Sequence, residues 1–193
     1  MVYPWTLKEH GVELIPNFII TDNLNAIRES ASRLIQHPEL QDSDPKRIKQ
    51  GYLSDRWDLS GEALVHWFPY FSASGDFFRT LRQQVKLENF LIGEAMLHSF
   101  RPNQFIGTEW HTDATVSIEP DSIYLVILIY PWTPPSVWPL EVQLKQQKPI
   151  QLFPSPKDVV LLSPHVVHRV PFGESSSQRM SIVFRLHRTI EMR

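Results

Sequence analysis

The chain has 193 residues, 42% apolar and 21% charged, with 11 Phe, 6 Trp and a formal net charge of −2. That is core material for one domain spanning residues 1–193, and it lacks both the low hydrophobicity of a disordered chain and the clustered basic surplus that nucleic acid attracts. Cysteine is absent, which excludes disulfides, thiolate zinc sites, iron–sulfur clusters and cysteine nucleophiles together, so any metal must be held by His and carboxylate.

The first residues, "MVYPWTLKEHGVELIP", carry no basic segment followed by an apolar run of the signal-peptide kind. The longest apolar run, "IYLVILIYPW", is shorter than the roughly 20 residues a membrane-crossing helix needs, so a cytoplasmic protein with no membrane partner is expected. After an extended "VELIPNFII", the segment "TDNLNAIRESASRLIQ" opens with Thr21 or Asp22 as N-cap and repeats apolar residues at Leu24, Ile27, Ala31, Leu34 and Ile35. That spacing predicts an amphipathic helix closed by His37-Pro38. Residues 38–62 are polar and punctuated by Pro and Gly, which predicts a long loop with short strands. A second helix is predicted over "DFFRTLRQQVKLENF", with Phe77, Phe78, Leu81 and Val85 on one side.

From Ile92 onward the pattern changes to short apolar or alternating runs: "EAMLHSF", "FIGTEWHTD", "IYLVILIY", "LEVQLKQ", "IQLFP", "DVVLLSP", "HRVPF" and "RMSIVFRLH". Many short strands separated by turn residues predict an antiparallel barrel or jelly roll. The fold class is therefore α+β, mainly β, with about residues 1–91 as helical and loop support and about 92–188 as the jelly-roll core. A Gly-X-Ser-X-Gly elbow, a P-loop and a dinucleotide fingerprint are all missing from the sequence.

On a strand, residues i and i+2 share a face, so His111 and Asp113 of "EWHTDA" can aim an imidazole and a carboxylate at one point. In a chain with 8 His such a pair is a weak signal alone. Further along, "SPHVVHRVPFGESSSQRMSIVFR" adds His165 and His168, then Arg179, Ser181, Val183 and Arg185 on one strand face. Two histidines and one carboxylate form the facial triad of non-heme Fe(II) oxygenases, which leaves positions open for oxygen and a co-substrate. An arginine on an otherwise apolar strand needs an anionic partner, and a planar guanidinium suits the far carboxylate of a dicarboxylic acid.

His111-X-Asp113, His168 and Arg179-X-Ser181 together resemble the signature of the Fe(II)/2-oxoglutarate-dependent dioxygenases, over residues from about 92 to 186. The "YLVILIYPWTPPSVWPLEVQL" segment is similar to the prolyl-4-hydroxylase-like subgroup. The resemblance implies a double-stranded β-helix, a cupin-like jelly roll with N-terminal helices packed on one sheet. It also implies Fe(II) on His111, Asp113 and His168, and 2-oxoglutarate gripped by Arg179 and Ser181. Its interval from the distal histidine to the arginine favours His168 over His165. The implied reaction consumes O2 and 2-oxoglutarate, releases succinate and CO2, and hydroxylates a C–H bond of a peptide side chain, amino acid or small metabolite. Asp113 favours hydroxylation over halogenation, because halogenases of the superfamily lack a carboxylate there.

Two departures stand out. Trp138-Pro139 replaces the subgroup's Gly-Gly pair, and His98-Ser99-Phe100 lies where a tyrosine often helps hold 2-oxoglutarate, leaving Tyr124 or Tyr130 as substitutes. Trp110-His111-Thr112-Asp113 with Arg179-X5-Arg185 is also similar to AlkB-type dioxygenases of alkylated bases, although Arg185 reads more simply as a solvated strand-end residue. A non-catalytic cupin-like binding module is a further alternative. The expected pocket walls are the 38–62 loop, with Lys46, Arg47, Lys49, Arg56 and Trp57, and the Trp132–Trp138 turn.

Overall fold

The computed structural model describes residues 6–41, 54–59, 61–72, 75–86, 89–116, 123–144 and 148–188. Lys46, Arg47 and Lys49 lie outside them. The chain opens with a single helical turn α1 (Leu7–His10) and strand β1 (Val12–Ile15), followed by helix α2 (Thr21–Leu34). Strand β2 (Asp55–Asp58) emerges within the predicted loop, and helices α3 (Glu62–Trp67) and α4 (Asp76–Val85) lead to the long strand β3 (Phe90–Phe100). A helical turn α5 (Asp113–Val116) precedes β4 (Ile123–Ile129), β5 (Leu140–Val142), β6 (Ile150–Leu152), β7 (Val159–Leu162), β8 (His168–Arg169) and β9 (Arg179–Arg188).

The strands form an antiparallel six-stranded sheet, ordered β1-β7-β4-β9-β3-β2, and a three-stranded sheet, β6-β5-β8. Both end strands of the large sheet, β1 and β2, come from the first 91 residues. Because side chains alternate along a strand, each strand of this sheet feeds two cores. Ala95, Leu97, Leu125, Ile127, Ile129, Leu161, Ile182 and Phe184 pack with Leu24, Ile27, Ala31 and Leu34 of α2 and with Phe77, Phe78 and Leu81 of α4. The opposite face sends Met96, Val126, Leu128, Val160, Leu162 and Val183 toward Leu140, Val142 and Leu152 of the small sheet. This is the expected mainly-β antiparallel architecture with helices on one sheet. Among the described residues no helix is long and apolar enough to cross a membrane.

The helix periodicities hold, with local corrections. The N-cap of α2 is Ile20, which makes no side-chain capping bond; the Thr21 hydroxyl instead accepts from Lys157 Nζ at 2.8 Å. Helix α4 stops at Val85 because Lys86 turns left-handed at φ 51°, and Phe90 then starts β3. The segment 105–113, expected as a regular strand, runs beside 168–173 through isolated pairings only, Ile106 with Gly173 and His111 with His168. Its backbone bonds are Ile106 N to Gly173 O at 2.9 Å, Thr108 N to Val170 O at 2.8 Å and His111 N to His168 O at 3.0 Å.

Candidate active site

The pairing of His111 with His168 puts their ring centroids 4.5 Å apart, although 57 positions separate them in the chain. The turn before His168 is pinned from the far end of the chain: Gly11, left-handed at φ 73°, accepts from Ser163 N at 2.7 Å. A side chain on Gly11 would also collide with Val166. Each ring is oriented by its own backbone, with His111 Nδ1 2.7 Å from Glu109 O and His168 Nδ1 3.0 Å from Val166 O. A carbonyl only accepts, so both Nδ1 atoms carry a proton, and the neutral form of either ring has its lone pair on Nε2, as a metal ligand requires. Burial, followed by the neighbouring His168, holds His111 below the ordinary imidazole range, favouring the neutral ring.

Asp113 does not continue a strand from His111. It starts α5, and it is buried at 4% exposure. Its Oδ1 accepts from Arg185 Nε at 2.9 Å and lies 2.8 Å from Arg185 Nη2, while Oδ2 stands 3.5 Å from His168 Nε2. His165 is exposed on the turn, with its backbone N–H on Ser163 Oγ at 3.5 Å. Among the described residues no group of three or more His, Asp and Glu side chains is spaced to hold a metal ion as it stands. His111, Asp113 and His168 are neighbours whose donor chemistry nonetheless suits a divalent first-row cation: two imidazole nitrogens and one carboxylate oxygen.

Strand β9 supplies the rest of the site from one face. Arg179, Ser181, Val183 and Arg185 pair across to Phe100, His98, Met96 and Glu94 of β3, and all four are buried. The two arginines meet opposite environments. Arg185 also reaches Glu94 Oε2 with Nη1 at 2.5 Å; burial alone would lower its pKa, but Asp113 and Glu94 overcome that and raise it. It is therefore a buried ion-pair hub, not the solvated strand-end residue expected. Among the described residues Arg179 has only hydroxyl partners, Ser181 Oγ and Tyr130 Oη, each at 3.4 Å, and it lies against the rings of Phe100 and Tyr130 at 5.1 and 5.2 Å. Among the described residues its buried Nε has no hydrogen-bond partner, and burial, opposed in part by Tyr130, lowers its pKa.

Tyr130, one of the two tyrosine substitutes, thus lies against Arg179, whereas Tyr124 packs on the helix-side core. The expected pocket walls need correction. Trp57 is 2% exposed in the helix-side core, and its Nε1 donates to His37 O at 3.2 Å, because odd positions of β2 face the helices. Trp132 packs on the same core beneath Arg28, at 6.0 Å. Trp138 is fully buried, donates to Ile106 O and Gly173 O at 3.0 and 3.2 Å, and braces Phe100 at 5.4 Å, one of the rings flanking Arg179. Arg56 pairs with His98 on the site face. Sequence reasoning missed Glu94, whose only signal was its acidic character within an apolar strand.

No protein-family model and no curated protein matches the sequence. Solved structures do. A non-heme alpha-ketoglutarate-dependent carbocyclase, SnoK of nogalamycin biosynthesis, superposes with a TM-score of 0.75 at 12% identity, over 94% of this chain and 81% of that one. The fold is that of Fe(II)/2-oxoglutarate oxygenases. A prolyl hydroxylase from Trichoplax adhaerens, solved with a hypoxia-inducible-factor peptide, gives 0.69 at 14% identity, covering 94% and 85% of the two chains. HygX from Streptomyces hygroscopicus, solved with nickel and 2-oxoglutarate, gives 0.65 at 14% identity, covering 95% and 85%.

Proposed function

We propose that the protein is an Fe(II)/2-oxoglutarate-dependent oxygenase that hydroxylates a C–H bond of a peptide side chain, an amino acid or a small metabolite. The observation that carries this reading is Arg179, a guanidinium 4% exposed with no carboxylate partner among the described residues, on the same face of β9 as Arg185, which holds Asp113 beside His168. Burying an unpaired charge costs several kcal/mol, so the arrangement is built for an anionic ligand. 2-Oxoglutarate, O2 and Fe(II) are the partners the neighbouring donors suit.

In this reading His111, Asp113 and His168 hold the metal, which when bound supplies O2 activation coupled to decarboxylation of 2-oxoglutarate to succinate. The backbone carbonyls of Glu109 and Val166 fix the tautomer in which both Nε2 atoms are ligands. Arg185 occupies Asp113 Oδ1 and leaves Oδ2 on the His168 side. Arg179 takes the distal carboxylate of 2-oxoglutarate, with the Ser181 and Tyr130 hydroxyls beside it. Phe100 and Trp138 keep water from that charge, which strengthens its hold on the anion.

Anaerobic addition of Fe(II) and 2-oxoglutarate is expected to develop the weak visible charge-transfer band of a 2-oxo acid chelated to ferrous iron. Once O2 is admitted, succinate release should rise with peptide or metabolite pools above its uncoupled level. A protein that develops no band and binds no 2-oxoglutarate would be a binding module instead. Stimulation by methylated oligonucleotides alone would move the assignment to the alkylated-base dioxygenases.

A further inference from the structure

We propose that Glu94 is a positioning residue for the metal centre, acting through Arg185 on Asp113; the inference rests on the metal-site reading above. Arg185 spends Nε and Nη2 on one oxygen of Asp113 and Nη1 on Glu94, and the three side chains are 8%, 5% and 13% exposed. Two carboxylates sharing one guanidinium carry a net charge of −1. Glu94 thus offsets the cation that would otherwise draw charge from Asp113 and repel a bound dication. It also divides the hold of Arg185, so that the guanidinium orients Asp113 without being neutralised by it alone.

The fold makes a specific provision for Glu94. Strand β3 pairs Glu94 with Arg185 but Ile92 with Leu186, so Gly93 is an extra residue bulged out of the ladder. With unbroken alternation, Phe90 and Ile92 would face the site with Glu94, Met96 and His98. The bulge reverses the parity: Phe90 and Ile92 pack in the helix-side core while Glu94 stays inward. On the other flank of β9, β4 shifts register at the same level, between Ile123 and Leu125 opposite His187 and Leu186. A side chain on Gly93 would run into the ring of His187. An acidic residue kept on the site face by a bulge, beside a buried arginine that clamps a metal-ligand carboxylate, tunes that carboxylate.

The test measures Co(II) binding to the metal-free protein by calorimetry, together with the visible Co(II) absorption, which reports ligand geometry independently of turnover. Glu94→Gln is expected to weaken Co(II) binding about 10–100-fold, the range for losing an outer partner of a metal ligand, and to alter the Co(II) spectrum. Glu94→Met should do the same and serves if the Gln variant folds poorly. Glu94→Asp, which keeps the charge, should bind closer to wild type. In an Arg185→Met background, adding Glu94→Gln should change nothing further, because the link is already gone. Wild-type affinity and spectrum in both neutral variants would overturn the proposal while leaving the metal site intact. Equal losses in the Asp and Gln variants, or an undiminished effect without Arg185, would overturn it too. A wild-type protein that binds no Co(II) would remove the metal-site reading, and the proposal with it.

Discussion

Replacing Arg179 with Met separates a structural cation from a ligand-binding one, because the two roles predict opposite signs in the ligand-free protein. The side chain is 4% exposed, its two hydroxyl partners stand at a long 3.4 Å, and its favourable contacts are two ring faces at 5.1 and 5.2 Å. Those faces contribute up to about 2 kcal/mol each when desolvated, against a burial penalty of several kcal/mol for an unpaired ion. The ligand-free variant should therefore match wild type or gain up to about 2 kcal/mol, which in a domain of this size raises Tm by at most about 4–8 °C. With 2-oxoglutarate the order reverses. Charge-assisted hydrogen bonds contribute about 1.5–3 kcal/mol each, so losing a bidentate pair weakens binding about 100-fold or more.

Thermal unfolding with Mn(II) in place of Fe(II), which prevents turnover, reads both effects. At 2-oxoglutarate 100 times the wild-type Kd, wild type gains about 2.7 kcal/mol, or about 5–10 °C. The variant, then near its own Kd, gains only about 0.4 kcal/mol, or roughly 1 °C. A variant destabilised by more than about 2 kcal/mol without ligand, yet still shifted like wild type by 2-oxoglutarate, would refute this reasoning and make Arg179 a structural residue.

Three further outcomes are expected. His111→Ala, Asp113→Ala and His168→Ala should each abolish Fe(II)-dependent succinate formation, whereas His165→Ala on the exposed turn should leave it intact; the reverse pattern for the two later histidines would reassign the distal ligand. Burial raises the pKa of Glu141, but Gln151 at 2.9 Å and Arg169 at 2.7 Å outweigh it and leave the carboxyl below its ordinary 4.5. Its contribution to stability is thus complete above pH 4.5 and lost as the pH falls through the depressed folded value. Glu141→Gln should lower stability at pH 7 by about 1–2 kcal/mol and flatten the acid limb of urea unfolding, and an unchanged limb would rule this out. Phe77, against Phe71 at 4.9 Å, Phe78 at 5.0 Å and Phe18 at 5.3 Å, should cost about 3–5 kcal/mol as Ala; a loss below about 1 kcal/mol in urea unfolding would mean that the cluster is not a tight core.

Local pattern was legible where the signal is local. The helical spacing of Leu24, Ile27, Ala31 and Leu34 located α2, and the alternation from Arg179 to Arg185 placed both arginines on one face, because each periodicity is a property of consecutive residues. The turn-punctuated runs after Ile92 were enough for a mainly-β antiparallel fold. Short strands were expected within the polar 38–62 segment, but which residues form β2 was settled by its pairing with β3.

What only the tertiary structure decided depends on register and on which core a face meets. His168 reaches His111 through a pairing across 57 positions; the sequence favoured it over His165, three residues away, only through the interval to Arg179 that the family resemblance implies. A one-residue shift exchanges the faces of a strand, so Trp57 could be assigned to the pocket until the pairing of β2 with β3 turned it toward the helices. The bulge at Gly93 is the same effect in reverse: it keeps Glu94 beside Arg185 while Ile92 and Phe90 join the opposite core. The sequence by itself determined which groups were available and which shared a strand face. Folding determined which charges would be neutralised, leaving Arg185 between two carboxylates and Arg179 with none among the described residues.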